Sequence, residues 1–188
     1  RKCKAKLSIK YLLYEVMTGV LFSLCYISFG LSLDLIIPLT FISLLAIVII
    51  SDIDTLIIPD EVIIFGVVLL LFEILCLHGI KECLLSLVQG LAAFLLMYGI
   101  KKFGDHMFKK ESMGGGDIKL MGLFGIVLGF PLSIVSIFLA SILGLPISLL
   151  ILWKNKSHII PFGPFLSMAA ILLVLSQQSF MDLLTLLA

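Results

Sequence analysis

Apolar residues run in seven long stretches along the chain, at about 11–30, 33–51, 62–78, 83–100, 118–130, 132–152 and 163–180. The polar interruptions between them are short. A helix that crosses a bilayer needs about 20 predominantly apolar residues, and most of these runs meet or approach that length. Internal glycines do not argue against helix, because membrane helices carry more of them than soluble ones. The pattern predicts an all-α, polytopic transmembrane helix bundle with about seven spans. The fifth run is short. It reaches spanning length only if the glycines before it lie at membrane depth, facing protein or water and not lipid.

Composition agrees with the pattern. Of 188 residues, 61% are hydrophobic and 13% charged, against about half and about a quarter in soluble domains. Almost nothing remains for a separate soluble domain, and nothing in the chain suggests a nucleic-acid partner. The net charge of +1 says little, but its placement says more. With a cytoplasmic N-terminus, twelve of the 13 Lys and Arg residues fall on the inner side and only Lys81 on the outer. Positive charge collects on the cytoplasmic side of membrane proteins, so the count supports both the orientation and the seven spans. The turn at 51–61 and the stretch at 101–117 then lie at the same membrane face. The latter is the one long polar segment and is expected to be the most mobile. The chain opens with Arg1 in a basic run, which reads as a fragment, and no signal-peptide cleavage pattern follows.

Two acidic places stand out at that face. Asp52 sits at the tail of an unbroken apolar run, where the helix dipole opposes a carboxylate. It is either a charge reaching for the interface or a functional group. Asp54 is either its companion or a solvated side chain. Pro59 resists helix interior and pushes Ile58 toward extended backbone, so a helix ends between Asp52 and Pro59. Asp60 then fits the N-cap of the next helix. The second place is Gly114-Gly115-Gly116-Asp117, directly before Ile118-Lys119-Leu120. Three glycines suit a flexible linker, yet a linker does not need an acid at the mouth of a membrane segment, where charge is costly. A phosphate loop is excluded, since the Gly-Lys-Ser/Thr ending is absent. If Asp52 and Asp117 meet, they cannot both ionise easily, and such a pair can activate water and protonate a carbonyl.

Other polar residues carry less. Cys25 and Cys76 read as small buried hydrophobes, and Cys76 and Cys83 are weak candidates for a disulfide across an outer turn. Glu15 is expected near Lys10 or a loop lysine, and Glu73 has no evident partner. His78, His106 and His158 are isolated from one another and make no metal constellation. Trp153 reads as an interfacial anchor, and Met113 and Met121 as packing.

Four stretches, in order along nearly the whole chain, resemble the bacterial type IV prepilin peptidases, aspartic peptidases of the GxGD class. Cys3 through Glu15 to Gly19 is similar to a segment that leads from a cysteine pair into a membrane helix. Asp52 precedes Ile58-Pro59-Asp60 at the family's spacing. Gly114-Gly-Gly-Asp117-Ile-Lys119-Leu resembles the Gly-x-Gly-Asp-[Val/Ile]-Lys-Leu signature. Pro161-Phe-Gly-Pro-Phe165 resembles an element near the last helix. The resemblance implies that Asp52 and Asp117 are the catalytic pair, that Gly114 and Gly116 shape the backbone presenting Asp117, and that Lys119, Asp54 and Asp60 are supporting motif residues. Gly115, at the free position, is expected to tolerate alanine where Gly114 and Gly116 do not. It further implies prepilin or pseudopilin substrates with a short basic leader, a lipid-bilayer setting in the bacterial inner membrane, and no cofactor for proteolysis. Longer members carry two CxxC pairs resembling a zinc site and methylate the new N-terminus with S-adenosylmethionine. Here Cys3 alone is a remnant of that site, and one thiolate cannot hold zinc. On this reading residues 1–10 are a basic cytoplasmic remnant and residues 11–188 a transmembrane GxGD peptidase domain. A cation-coupled transporter or a non-catalytic assembly scaffold would use the same acidic residues differently.

Overall fold

A computed structural model describes residues 9–109, 113–154 and 161–176. Among them lie seven α-helices and no strand: α1 (Ile9–Phe29), α2 (Ile36–Thr55), α3 (Asp60–His78), α4 (Ile80–Phe108), α5 (Gly115–Val127), α6 (Phe130–Lys154) and α7 (Gly163–Leu175). A short 3-10 helix, Leu33–Leu35, leads into α2. The seven apolar runs and the seven helices correspond one to one. Five helical stretches are long and apolar enough to cross a membrane, and α5 and α7 are shorter, at 13 residues each. Cys3, His158, Lys156 and the last residues from 177 onward lie outside the described residues, as do Lys110, Glu111 and Ser112.

Long apolar helices with exposed apolar faces surround short, buried ones. On α4, Leu84, Val88, Leu91 and Leu95 are exposed, and on α6 so are Phe138, Ile142 and Leu145. These are surfaces for lipid, since water would not tolerate so much contiguous apolar area. By contrast, α5 buries eight of its 13 residues and α7 buries nine. Phe41 of α2 and Phe124 of α5 meet edge to face with centroids 5.8 Å apart. Small residues bring α4 and α5 into backbone contact. A β-carbon on Gly125 would lie 2.6 Å from the Gln89 carbonyl oxygen and 2.7 Å from the Gly90 Cα. Close approach through glycine is the usual device of membrane helices, which gain little from hydrophobic exclusion between one another.

The polar stretch at 101–117 is not the long loop expected of it. Helix α4 continues to Phe108 and α5 begins at Gly115. Lysine is a good helix former, and the long apolar part of α4 nucleates a helix that the polar residues then extend at little cost. Cysteine burial also differs from expectation. Cys25 is fully buried, but Cys76 is exposed on the bundle's outer surface, and Cys25, Cys76 and Cys83 are all free thiols.

Candidate functional site

The turn between α2 and α3 is built by local hydrogen bonds. Helix α2 closes at Leu56, which takes a left-handed conformation (φ 57°) and donates its N–H to the Asp52 carbonyl at 3.0 Å. The Ser51 hydroxyl donates to the Ile57 carbonyl at 2.8 Å, and the Thr55 hydroxyl donates to the Ser51 carbonyl at 2.8 Å. Ile58 and Pro59 follow, Pro59 in extended geometry, and α3 starts at once. This short turn leaves Asp52 one turn inside the end of α2, with its side chain facing the bundle and only 6% exposed.

Asp117 arrives from the other direction. Gly114 is the N-cap of α5, and Gly115 and Gly116 form its first residues. Asp117 therefore lies in the first turn of α5, where unpaired backbone N–H groups and the helix dipole favour negative charge. It is 9% exposed. Asp52 and Asp117 interact electrostatically. They line one cavity of about 610 Å³ together with Leu56, Ile57, Ile58, Met113, the three glycines, Pro161 and Phe162.

The start of α7 closes the cavity from a third side. The Gly163 backbone N–H donates a hydrogen bond to the Asp52 carboxylate. A β-carbon at Gly163 would lie 2.5 Å from Asp52 Oδ2, so only glycine lets the two meet in this way. Pro164 follows in the first turn of α7, where its missing N–H is not needed.

The expected supporting residues have definite partners. Lys119 Nζ lies 2.6 Å from both Asp60 carboxylate oxygens. Asp60 is thus not the N-cap foreseen for α3. Pro59 holds that position with no side-chain cap, and Asp60 is the first helical residue, turned toward α5. The pull of the Lys119 ammonium outweighs a local bond to the helix's own N–H groups. Asp54 accepts a hydrogen bond from Lys10 Nζ at 2.9 Å, which ties α1 to the end of α2. Each buried aspartate therefore has, two residues later, an ion-pairing residue facing outward. Elsewhere, Glu73 accepts a hydrogen bond from the Thr40 hydroxyl at 2.7 Å. His78 Nε2 stands 3.5 Å from Asp34 Oδ1 at the opposite end of the bundle.

The three glycines are not equivalent. A β-carbon on Gly115 would meet nothing within 4 Å, and one on Gly114 only Asp117 Oδ2 at 3.7 Å. On Gly116 it would lie 2.9 Å from Ile58 Cβ. The expected tolerance at Gly115 and intolerance at Gly116 thus have a steric basis. Gly114 does not share it, since its φ of −65° and ψ of 144° suit any residue.

In the sequence Gly163 and Ile58 stand within motifs that give them no role of their own, and Met113 has the character of a packing residue. Their shared signal was weak: each lies a few residues from a proline or a glycine run. Only the folded chain brings Gly163 against the Asp52 carboxylate and Ile58 and Met113 into the cavity that both carboxylates line. Among the described residues no group of three or more His, Cys, Asp or Glu side chains could hold a metal ion.

A helical membrane bundle with two buried carboxylates facing one open cavity is compatible with a membrane-embedded hydrolase. Comparison with known proteins agrees. The model of the type IV leader peptidase family matches residues 39–149, a stretch that contains both aspartates and the glycine motif. A prepilin leader peptidase/N-methyltransferase of Bacillus subtilis (strain 168) is 30% identical over 182 residues, covering 95% of this chain and 71% of the relative. Similarly named proteins of Neisseria gonorrhoeae and Pseudomonas putida are 30% and 31% identical, over 94% and 92% of this chain and 61% of each relative. No solved structure matches the chain. The chain belongs to the type IV leader peptidase family.

Proposed function

We propose that this chain is the proteolytic part of a prepilin peptidase, cleaving the leader from type IV prepilins or pseudopilins with Asp52 and Asp117 as the catalytic pair. The observation that carries the reading is the shared cavity: two buried carboxylates from helix ends of opposite polarity line it, in a chain of a peptidase family. In the proposed reaction one aspartate is ionised and the other protonated. A water held between them attacks the scissile carbonyl. The ionised member takes the water's proton while the protonated member donates to the carbonyl oxygen. The tetrahedral species then collapses as a proton passes to the departing amine. No covalent intermediate forms.

Depth in the membrane supports the same reading. Helix α5, at 1.5 Å per residue, is about 20 Å long, short of the ~30 Å hydrocarbon core. Its first turn therefore starts below the surface, and the cavity is the route by which water and substrate backbone reach Asp117. The lysine asymmetry supports a cytoplasmic position for this end of the bundle, in the inner membrane. On the same reading the chain's basic start is cytoplasmic and the peptidase domain begins at residue 11.

Cys25, Cys76 and Cys83 sit on three helices and form no ligand group. A zinc site does not fit these three cysteines.

The test uses the protein in liposomes with a prepilin as substrate. Asp52→Asn and Asp117→Asn are each expected to lower cleavage by about 10²–10⁴-fold, the usual contribution of positioned acid–base groups, with insertion unchanged. Normal processing by both single variants would sink the peptidase mechanism. Loss of ion flux instead of cleavage would point to a transporter, and retained partner binding alone to a scaffold.

A further inference from the structure

The missing side chains of two glycines on different helices make room for one and the same residue. A β-carbon on Gly116, in the first turn of α5, would lie 2.9, 3.1 and 3.2 Å from Ile58 Cβ, Cδ1 and Cγ1. A β-carbon on Gly163, at the start of α7, would lie 3.2 Å from Ile58 Cδ1. Ile58 is 9% exposed and belongs to the turn that leads away from Asp52. It is wedged between the two helix starts that hold the carboxylates: Gly116 directly precedes Asp117, and Gly163 donates its N–H to Asp52.

The wedge itself is stiff. A β-branched side chain has few χ1 choices, and a residue before proline is confined to extended backbone. The turn is pinned on one side by the Ser51 and Thr55 hydroxyls and on the other by the Lys119–Asp60 pair, which fastens α5 to α3. So Ile58 cannot move away freely, and α5 and α7 cannot close over it.

We infer that Ile58 is a positioning residue whose side chain sets the spacing between the Asp52 and Asp117 carboxylates. The inference rests on the peptidase reading. It assigns Ile58 no contact with the reacting atoms. It acts through Gly116 on Asp117 and through Gly163 on Asp52. The glycines are then two walls of one slot, cut to the width of an isoleucine.

The experiment measures steady-state cleavage of a prepilin peptide by the full chain in liposomes, together with thermal unfolding. Ile58→Ala removes Cγ1 and Cδ1, and kcat is expected to fall by up to about 10²-fold, as ångström-scale misplacement of catalytic groups does, while KM stays within about twofold. Ile58→Val keeps Cβ and a Cγ against Gly116 but loses the Cδ1 that faces Gly163, so its kcat is expected to fall between those of wild type and Ile58→Ala. Gly116→Ala with Ile58→Ala relieves two of the three close contacts and is expected to exceed Gly116→Ala alone in kcat. Strictly additive losses in that pair, or an Ile58→Ala variant with wild-type kcat, would overturn the inference. So would a variant whose loss tracks only the folded amount. These outcomes are separate from failure of the peptidase reading, in which the wild-type protein would not cleave the prepilin or both aspartate variants would cleave it as wild type does.

Discussion

The two aspartates reach one cavity by opposite routes. Asp117 lies in the first turn of α5, where the helix dipole and free N–H groups favour a negative charge. Asp52 lies in the last turn of α2, where the same effects disfavour it. Both are buried to a similar degree. The difference is made up from outside α2: Gly163 brings the amino end of α7 against the Asp52 carboxylate. One station is therefore self-sufficient, and the other depends on a helix more than a hundred residues further along. Paired aspartates at unlike helix ends need not be equal partners, and the unequal one shows where the third structural element must be.

The largest effects should come from the carboxylates themselves, and the asparagine variants described above are expected to be alike in severity despite their unlike surroundings. A difference between them of more than about two orders of magnitude would exceed what one acid–base group contributes at the low end and would break the symmetry of the pair. Next comes Gly163→Ala. Its methyl would displace the Asp52 carboxylate, a flexible side-chain end, so unfolding is unaffected while cleavage falls by about 10²-fold. The matched change at the other station, Gly114→Ala, should leave cleavage close to wild type, because its added carbon meets Asp117 only at ordinary contact distance. Equal losses at both glycines in a cleavage assay would refute the dependence of Asp52 on α7.

Smaller effects concern stability. Gly116→Ala forces the turn at Ile58 to shift, and overpacking of this kind costs about 1–3 kcal/mol, readable in thermal unfolding in detergent. Gly115→Ala meets open space and should lie within about 0.5 kcal/mol of wild type. Smallest is Lys119→Ala. Its pair with Asp60 is partly exposed, at 42% and 56% of the two side chains, so less than about 1 kcal/mol is expected. A larger loss there would mean that the brace between α3 and α5 matters more than its exposure suggests.

Much of this was legible in the chain. Apolar run length dictated seven helices, because a bilayer forces backbone polar groups into internal hydrogen bonds and leaves helix as the local solution. Lysine placement and the positions of Asp52 and Asp117 at run ends put both acids on one side. The break at Ile58-Pro59 followed from proline sterics. Other features were out of reach. Asp60 looked like a cap because capping is local, and its bond to Lys119 exists only once α3 and α5 are neighbours. The helical extension of α4 to Phe108 depends on cooperative propagation and not on the polarity of residues 101–108.

Local chemistry along the chain thus determined the helices, their approximate ends and which residue types lie at the polar face. Tertiary structure alone decided what those ends meet. A glycine's meaning in particular is not local. Gly114, Gly115 and Gly116 are identical in sequence terms, yet only Gly116 faces Ile58. Gly163 lies 111 positions after Asp52, and nothing in its spacing predicts a contact. Packing made that contact, because α7 can approach the Asp52 carboxylate only where no side chain stands between them.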